Sequence, residues 1–222
     1  MPTALESRTA LTLVTGAAVD AVGRLLGSLT GSPESMRGDL LDAVPSIVAY
    51  YSDGSSALAA DFYDDERARA AARGRFIAEP IVLDRAEKIG RAIAWASKPL
   101  FDGDGDLPGR LAEVVQIETA RPYRDTITTN RRHDPEADGW RRVSAGGCSF
   151  CRMLSDRGAV YRDDTVRFAA HTHCHCTAAP VFKGGESGPE ASVVQYVASK
   201  RRPSQRDRDK VRKYLAENYG DN

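Results

Sequence analysis

Residues 146–182 read GGCSFCRMLSDRGAVYRDDTVRFAAHTHCHCTAAPVF and contain all four cysteines of the 222-residue chain, as Cys148-x2-Cys151 and Cys174-x-Cys176. Three of the four histidines, His171, His173 and His175, alternate around the second pair. Scattered cysteines are usually small core hydrophobes. Two short knuckles with interleaved imidazoles instead suit Zn²⁺, which takes four thiolate or imidazole ligands in a tetrahedron. A disulfide pair would need an oxidising compartment. The opening MPTALESRTALTLVTG has no basic segment ahead of an apolar stretch, so no signal peptide is expected. A CxxC redox site would not need a second pair. Four ligands are needed from a larger set. Cys148 and Cys151 come first, and Cys174 joins them with either Cys176 or His171, because His171-x2-Cys174 is also a knuckle spacing. His173 and His175 are expected to face solvent or a partner. So many thiolates predict a closed structural site rather than a catalytic one with an open position.

The pattern C-x2-C-x2-L, R-G-x-V-Y, H-x2-C-x-C-x3-P-V is carried by Cys148, Cys151, Leu154, Arg157, Gly158, Val160, Tyr161, His171, Cys174, Cys176, Pro180 and Val181. It resembles the C-terminal domain of the MuF-like minor head proteins of tailed bacteriophages, in the form carried by phages of actinobacteria. Upstream, Tyr63, Arg67, Arg124, Thr126, Ile127, Asn130, Asp134, Gly139, Trp140 and Val143 sit where that family keeps similar residues, so the resemblance runs roughly from Tyr50 to Phe182. It implies a minor component of the phage head that docks on the portal or the inner capsid shell, including the major capsid protein, in several copies. Its role would lie in head assembly and in DNA packaging or ejection, without turnover. The expected locations are the capsid interior or portal vertex of the virion, and the host cytoplasm during assembly.

Charge is abundant but balanced, with 31 basic and 31 acidic residues. No global field therefore favours nucleic acid or a membrane. No apolar run approaches the ~18–20 residues of a membrane span. Residues 6–30 predict an amphipathic helix from the recurrence of Leu11, Val14, Ala18, Val22, Leu25 and Leu29. Gly-Ser-Pro at 31–33 ends it. A short helix over 34–43 follows, and Pro45 is expected to start another that carries Ile47, Tyr51, Leu58 and Phe62. The run DDERARAAARGR after it reads as a solvated face. Asp84 is placed as the N-cap of a helix to about Ser97, with Trp95 inward. Asp102, Asp104, Asp106 and Glu113 have calcium-loop spacing, but Leu107 and Pro108 occupy the turn that needs glycine, so the stretch reads as an acidic turn before a helix. Pro122 is expected to kink or restart that helix. Arg121 and Arg124, with Asp125, read as an ion pair that orients the helices against the cysteine segment. His133 is expected in a solvated loop.

From Gly139 the period changes. Residues 140–143, a hairpin over 159–168 and residues 179–182 predict a small sheet of three or four strands. The chain is therefore expected to be α+β: a helical body over 1–138, a zinc-stapled α+β module over 139–183, and a linker with a basic helical tail over 184–222. In that tail Lys200, Arg201, Arg202, Arg206, Arg208, Lys210, Arg212 and Lys213 face two acids, Asp207 and Asp209, which suits contact with DNA phosphates or a docking partner. No Gly-x-Ser-x-Gly, His-Glu-x-x-His or phosphate-loop pattern is present. The expected role is thus non-enzymatic. The alternatives are a capsid maturation protease, for which only His133 lies outside the metal cluster, or a scaffold-like assembly factor.

Overall fold

A computed structural model describes residues 1–144, 148–158, 161, 168, 174–184 and 204–220. In chain order they form α1 (Ala4–Ser28), α2 (Pro33–Arg69), α3 (Ala86–Ala96), α4 (Pro99–Asp102), α5 (Leu107–His133), β1 (Ala137–Val143), α6 (Ser149–Ser155), β2 (Thr177–Phe182) and α7 (Gln205–Tyr219). The α+β expectation holds: the chain is mostly helical, with a small antiparallel sheet.

Helix α1 opens with a capping box. The Glu6 amide donates to Thr3 Oγ1 and the Thr3 amide to Glu6 Oε2, which satisfies two otherwise unpaired donors. Ser7, Leu11, Thr15, Ala18 and Val22 form its buried stripe against α2 and α5. By length and composition α1 also qualifies as a membrane-spanning helix, which corrects the reading from apolar runs alone. Core helices of globular domains meet the same criterion.

Helix α2 is one element of 37 residues, not two separated at Pro45. A proline inside a helix removes one hydrogen bond and crowds the preceding turn, at a cost of about 3 kcal/mol. Leu40, Val44 and Val48 flank it and are at most 1% exposed. Burial at about 1.5–3 kcal/mol for each large apolar side chain outweighs that cost. Pro122 is likewise buried inside a continuous α5, between Ala120 and Tyr123. In α3 the inward stripe is Ile89, Ile93 and Ala96, while Trp95 is 46% exposed, correcting its expected inward position. Two residues past Ile93 lies ~200° around the helix, and there the indole stacks under the Arg110 guanidinium at 5.2 Å. Asp106 caps α5 by accepting the Gly109 amide at 2.8 Å, which gives one acid of the acidic turn a helix-starting role.

The charged run that ends α2 is only partly a solvated face. Asp64 accepts the Ala78 amide, and Arg67 is buried, its Nε 2.9 Å from Asp134 Oδ2 at the end of α5. Arg67 also donates to the carbonyls of Ala72, Arg73 and Gly74, gathering the chain after the left-handed turn at Ala71 (φ 48°). The other Asp134 oxygen accepts the Glu136 amide at 3.0 Å and sets the entry to β1. Beyond this turn the extended segment is held on α5. The Asn130 amide pairs with both the N–H and C=O of Glu79, and Thr126 Oγ1 accepts the Ile81 amide.

β1 and β2 pair antiparallel, with Trp140 opposite Pro180 and Arg142 opposite Ala178. Among the described residues the sheet has these two strands plus one bridge from Trp140 to Tyr161. The rest of the expected hairpin, residues 159–160 and 162–167, lies outside the described residues. All six residues of β2 are buried, and the strand packs on α5 and α2. One hydrophobic cluster runs from Leu11, Phe62, Tyr63, Tyr123 and Ile127 to Trp140, Val143, Ala179 and Phe182, and so spans residues on both sides of position 138. A second, formed by Val22, Leu40, Val44, Ile93, Leu111 and Val115, fills the other part of the helical body.

Arg67→Met leaves Asp134 buried without its cation and is expected to cost about 3–5 kcal/mol in urea denaturation; a loss below about 1 kcal/mol would contradict a structural role. Glu118 of α5 receives two hydrogen bonds from Arg85, at 2.6 and 3.0 Å. Burial alone would raise its carboxyl, but the Arg85 hydrogen bonds and the Arg85, Arg121 and Lys88 charges lower it below 4.5 on balance. A carboxyl depressed by folding adds stability above the ordinary value, and that stability disappears as pH falls through the folded one. Stability should therefore fall with acidification below about pH 4.5, and Glu118→Gln should remove part of that slope in pH-dependent melting curves.

Candidate metal centre

The two knuckles are brought together by different local rules. Helix α6 is a short helix whose buried face is Cys151, Met153 and Leu154. Cys148 is its N-cap, so it lies at the solvent end while Cys151 points inward. Arg157-Gly158 closes the helix: Gly158 adopts φ 65°, the left-handed region that glycine enters without Cβ strain, and its amide donates to the Ser155 carbonyl. Tyr161 then donates from its hydroxyl to the Leu154 carbonyl at 2.8 Å, and Ser155 donates to the Arg142 carbonyl at 3.0 Å, tying α6 to the sheet. The second knuckle is extended chain leading into β2. Side chains two apart in an extended chain share a side, so Cys174 and Cys176 both turn inward while His175 between them is exposed. The Gln116 amide nitrogen lies 3.2 Å from both His175 ring nitrogens.

Cys151, Cys174 and Cys176 are each at most 4% exposed, and their sulfurs all lie within 4.8 Å of one another. Cys151 Sγ and Cys174 Sγ are 3.9 Å apart, and no disulfide joins any of the four cysteines. Sulfurs on a tetrahedral zinc with ~2.3 Å bonds would be about 3.8 Å apart, so the trio matches three corners of such a site. Cys148 is exposed and is not in this mutually close set. His171 and His173 lie outside the described residues, so the fourth corner remains between Cys148 and His171, with Cys174 and Cys176 both in the set.

Two buried arginines surround the trio. Arg124 of α5 is 4% exposed; its Nη2 donates to the Cys174 and Cys176 carbonyls, each at 2.9 Å, and its Nε to Cys176 O at 3.1 Å. Arg142 of β1 is 2% exposed and brings Nη1 to 3.9 Å from Cys174 Sγ. The Phe168 ring lies 4.7 Å from the Arg124 guanidinium carbon and 4.0 Å from that of Arg142, and stacks on Trp140. Hydrogen bonds from Cys151 and Cys176, with the Arg124 charge, push the Cys174 thiol far below its ordinary range. Donation to Cys174 pushes Cys151 up. Burial pulls Arg124 down to about 10, against the opposing pull of the Cys174 charge. The pocket is thus polarised to hold negative sulfur. The sequence reading gave Arg124 an orienting role through an ion pair; it performs that role through carbonyls. Arg142 and Phe168 had not been singled out. The available signal was an arginine two residues after Trp140, on the buried face of a strand that leads to the first knuckle.

The basic tail is separate from this centre. Arg206, Arg208, Lys210, Arg212 and Lys213 are exposed on α7, where Arg212 lies 3.6 Å from Asp209 and Lys213 3.8 Å from Glu217. Lys200, Arg201 and Arg202 lie outside the described residues. Helix α7 packs on α6, and Arg152 donates to the Tyr219 carbonyl at 2.7 Å. His133 is exposed in the last turn of α5, not in a loop.

The model of one protein family, described as VG15 protein, matches residues 3–199, which include the helical body and both knuckles. The chain belongs to the VG15 protein family, a family of viral (phage) proteins. Comparison with curated proteins and with solved structures gives no match. Within the VG15 match lie α1 to α6, β1, β2 and the cysteine trio, whereas α7 follows it.

The geometry predicts about one metal ion per VG15 chain, soft-ligand chemistry favouring zinc. Cys174→Ser or Cys151→Ser should abolish stoichiometric zinc in elemental analysis of the purified chain, and chelation of the parent protein should lower its melting temperature. Full zinc content in both variants would contradict the trio as ligands.

Proposed function

We propose that this chain is a non-enzymatic minor head protein of a tailed phage, held together at its cysteine centre by structural zinc and docking on the portal or the inner capsid during assembly. The observation that carries this reading is the VG15 family match over residues 3–199, a phage family, together with the MuF-like pattern across the two knuckles. The buried thiol trio supports a structural metal, because all three residues are at most 4% exposed and their sulfurs lie within 4.8 Å of one another. Such a site contributes folding energy rather than an open coordination position. On this reading the exposed basic residues of α7 contact phosphates of the packaged genome or an acidic partner, a contact that would weaken steeply with salt. The bulk of the helical body offers the docking surface.

Quantitative mass spectrometry of mature particles and empty precursor heads of the source phage tests the proposal. A few to tens of copies are expected in both. Presence in precursors with loss from mature heads would replace it with a scaffold-like or proteolytically removed assembly factor. Absence from both would overturn the head-protein reading.

A further inference from the structure

We infer that Arg124 is the positioning residue that couples metal binding to the docking of β2 on the helical body. The inference rests on the metal reading above. Arg124 belongs to α5, the helix against which α1, α2, α3 and β2 all pack. Its guanidinium reaches across to the two carbonyls that bracket the second knuckle, at Cys174 and Cys176. The three short hydrogen bonds fix the backbone from which two of the three clustered sulfurs project. Rotation of that backbone by one residue would turn His175 inward and both sulfurs outward. Phe168 covers the guanidinium at 4.7 Å and shields it from water.

The energetic logic runs in both directions. Arg124 is a cation in a water-poor interior, where an uncompensated charge costs several kcal/mol. Carbonyl dipoles compensate it in part, and thiolates on a metal add the negative charge that completes the neutralisation. Without a metal no shared ion ties the three sulfurs to one another, and the knuckle backbone that Arg124 clamps through its carbonyls is held from one side only. Conversely, loss of Arg124 leaves two buried carbonyls without their donor and frees the knuckle to leave ligating geometry. Groups that orient metal ligands from the second layer commonly change affinity by 10–100-fold. Here the orienting group comes from the helical body. Metal occupancy is therefore transmitted to the α5–β2 contact, not confined to the knuckles.

The test uses the full chain with Zn²⁺ as the only probe. Zinc affinity is measured by competition with a chromophoric chelator, and amide exchange of residues 174–182 and 118–128 is followed with and without zinc. In the parent protein zinc should slow exchange in both segments. Arg124→Met should bind one zinc with about 10–100-fold weaker affinity, and zinc should then protect 174–182 without protecting 118–128. Arg124→Lys keeps the charge but not the forked donors; it should show an intermediate loss, and it carries the test if the methionine variant does not fold. Parent-like affinity and parent-like protection of both segments in a folded variant would overturn the inference while leaving the metal centre intact. Failure of the parent chain to bind zinc would overturn both, and Cys174→Ser serves as the reference for that outcome.

Discussion

A strand with every residue buried must find a partner for each backbone polar group, because an unsatisfied buried N–H or C=O costs about 1–3 kcal/mol. β2 is such a strand. Its pairing with β1 satisfies one set of groups, and the carbonyls just before it are satisfied by Arg124 from α5. That requirement explains why a charged side chain, Arg124, is buried where α5 meets the start of β2. It also explains why the cysteine segment does not behave as a small, separate sheet: the strand that carries it is sandwiched against the long helices.

The same device recurs at the other end of the helix–sheet boundary. Arg67 and Asp134 join the end of α2 to the end of α5, and the remaining donors of Arg67 collect the loop carbonyls that follow. Tyr63, wholly buried, places its hydroxyl 3.4 Å from the same carboxylate, and its ring packs edge-on against Phe182 at the end of β2. Two buried arginines, one at each end of β2, thus fix the register of the sheet on the helices. Buried ionic groups are weak sources of net stability, but their directional bonds discriminate against misdocked arrangements.

Much of this was legible from residues. The knuckles pointed to clustered cysteines, three of which converge into a set that could hold a metal ion, the period change at Gly139 marked the start of strand structure, and the stripe Leu11, Ala18, Val22 located α1 almost to its ends. The misplaced boundaries came from proline. Pro45 and Pro122 were given the meaning they have in isolated helices, whereas buried neighbours on both sides held the helix through them. The run around Arg67 was misread for a related reason: local sequence shows alternating charge, but the partner that draws Arg67 inward is 67 residues away. Sequence spacing put Cys148 first and Cys176 as an alternative to His171, whereas the fold clusters Cys176 with Cys151 and Cys174 and leaves Cys148 exposed outside that set. The distinction depends on whether a helix cap or an extended segment presents the thiol, which is a tertiary outcome.

The centre, the strand and the helical body form one physical unit in this account, with sulfur as the element at its heart. The most direct test is X-ray absorption at the zinc edge on the purified full-length chain. A first shell with at least three sulfurs at about 2.3 Å is expected. A first shell of nitrogen and oxygen alone, or no bound zinc after reconstitution under reducing conditions, would contradict it.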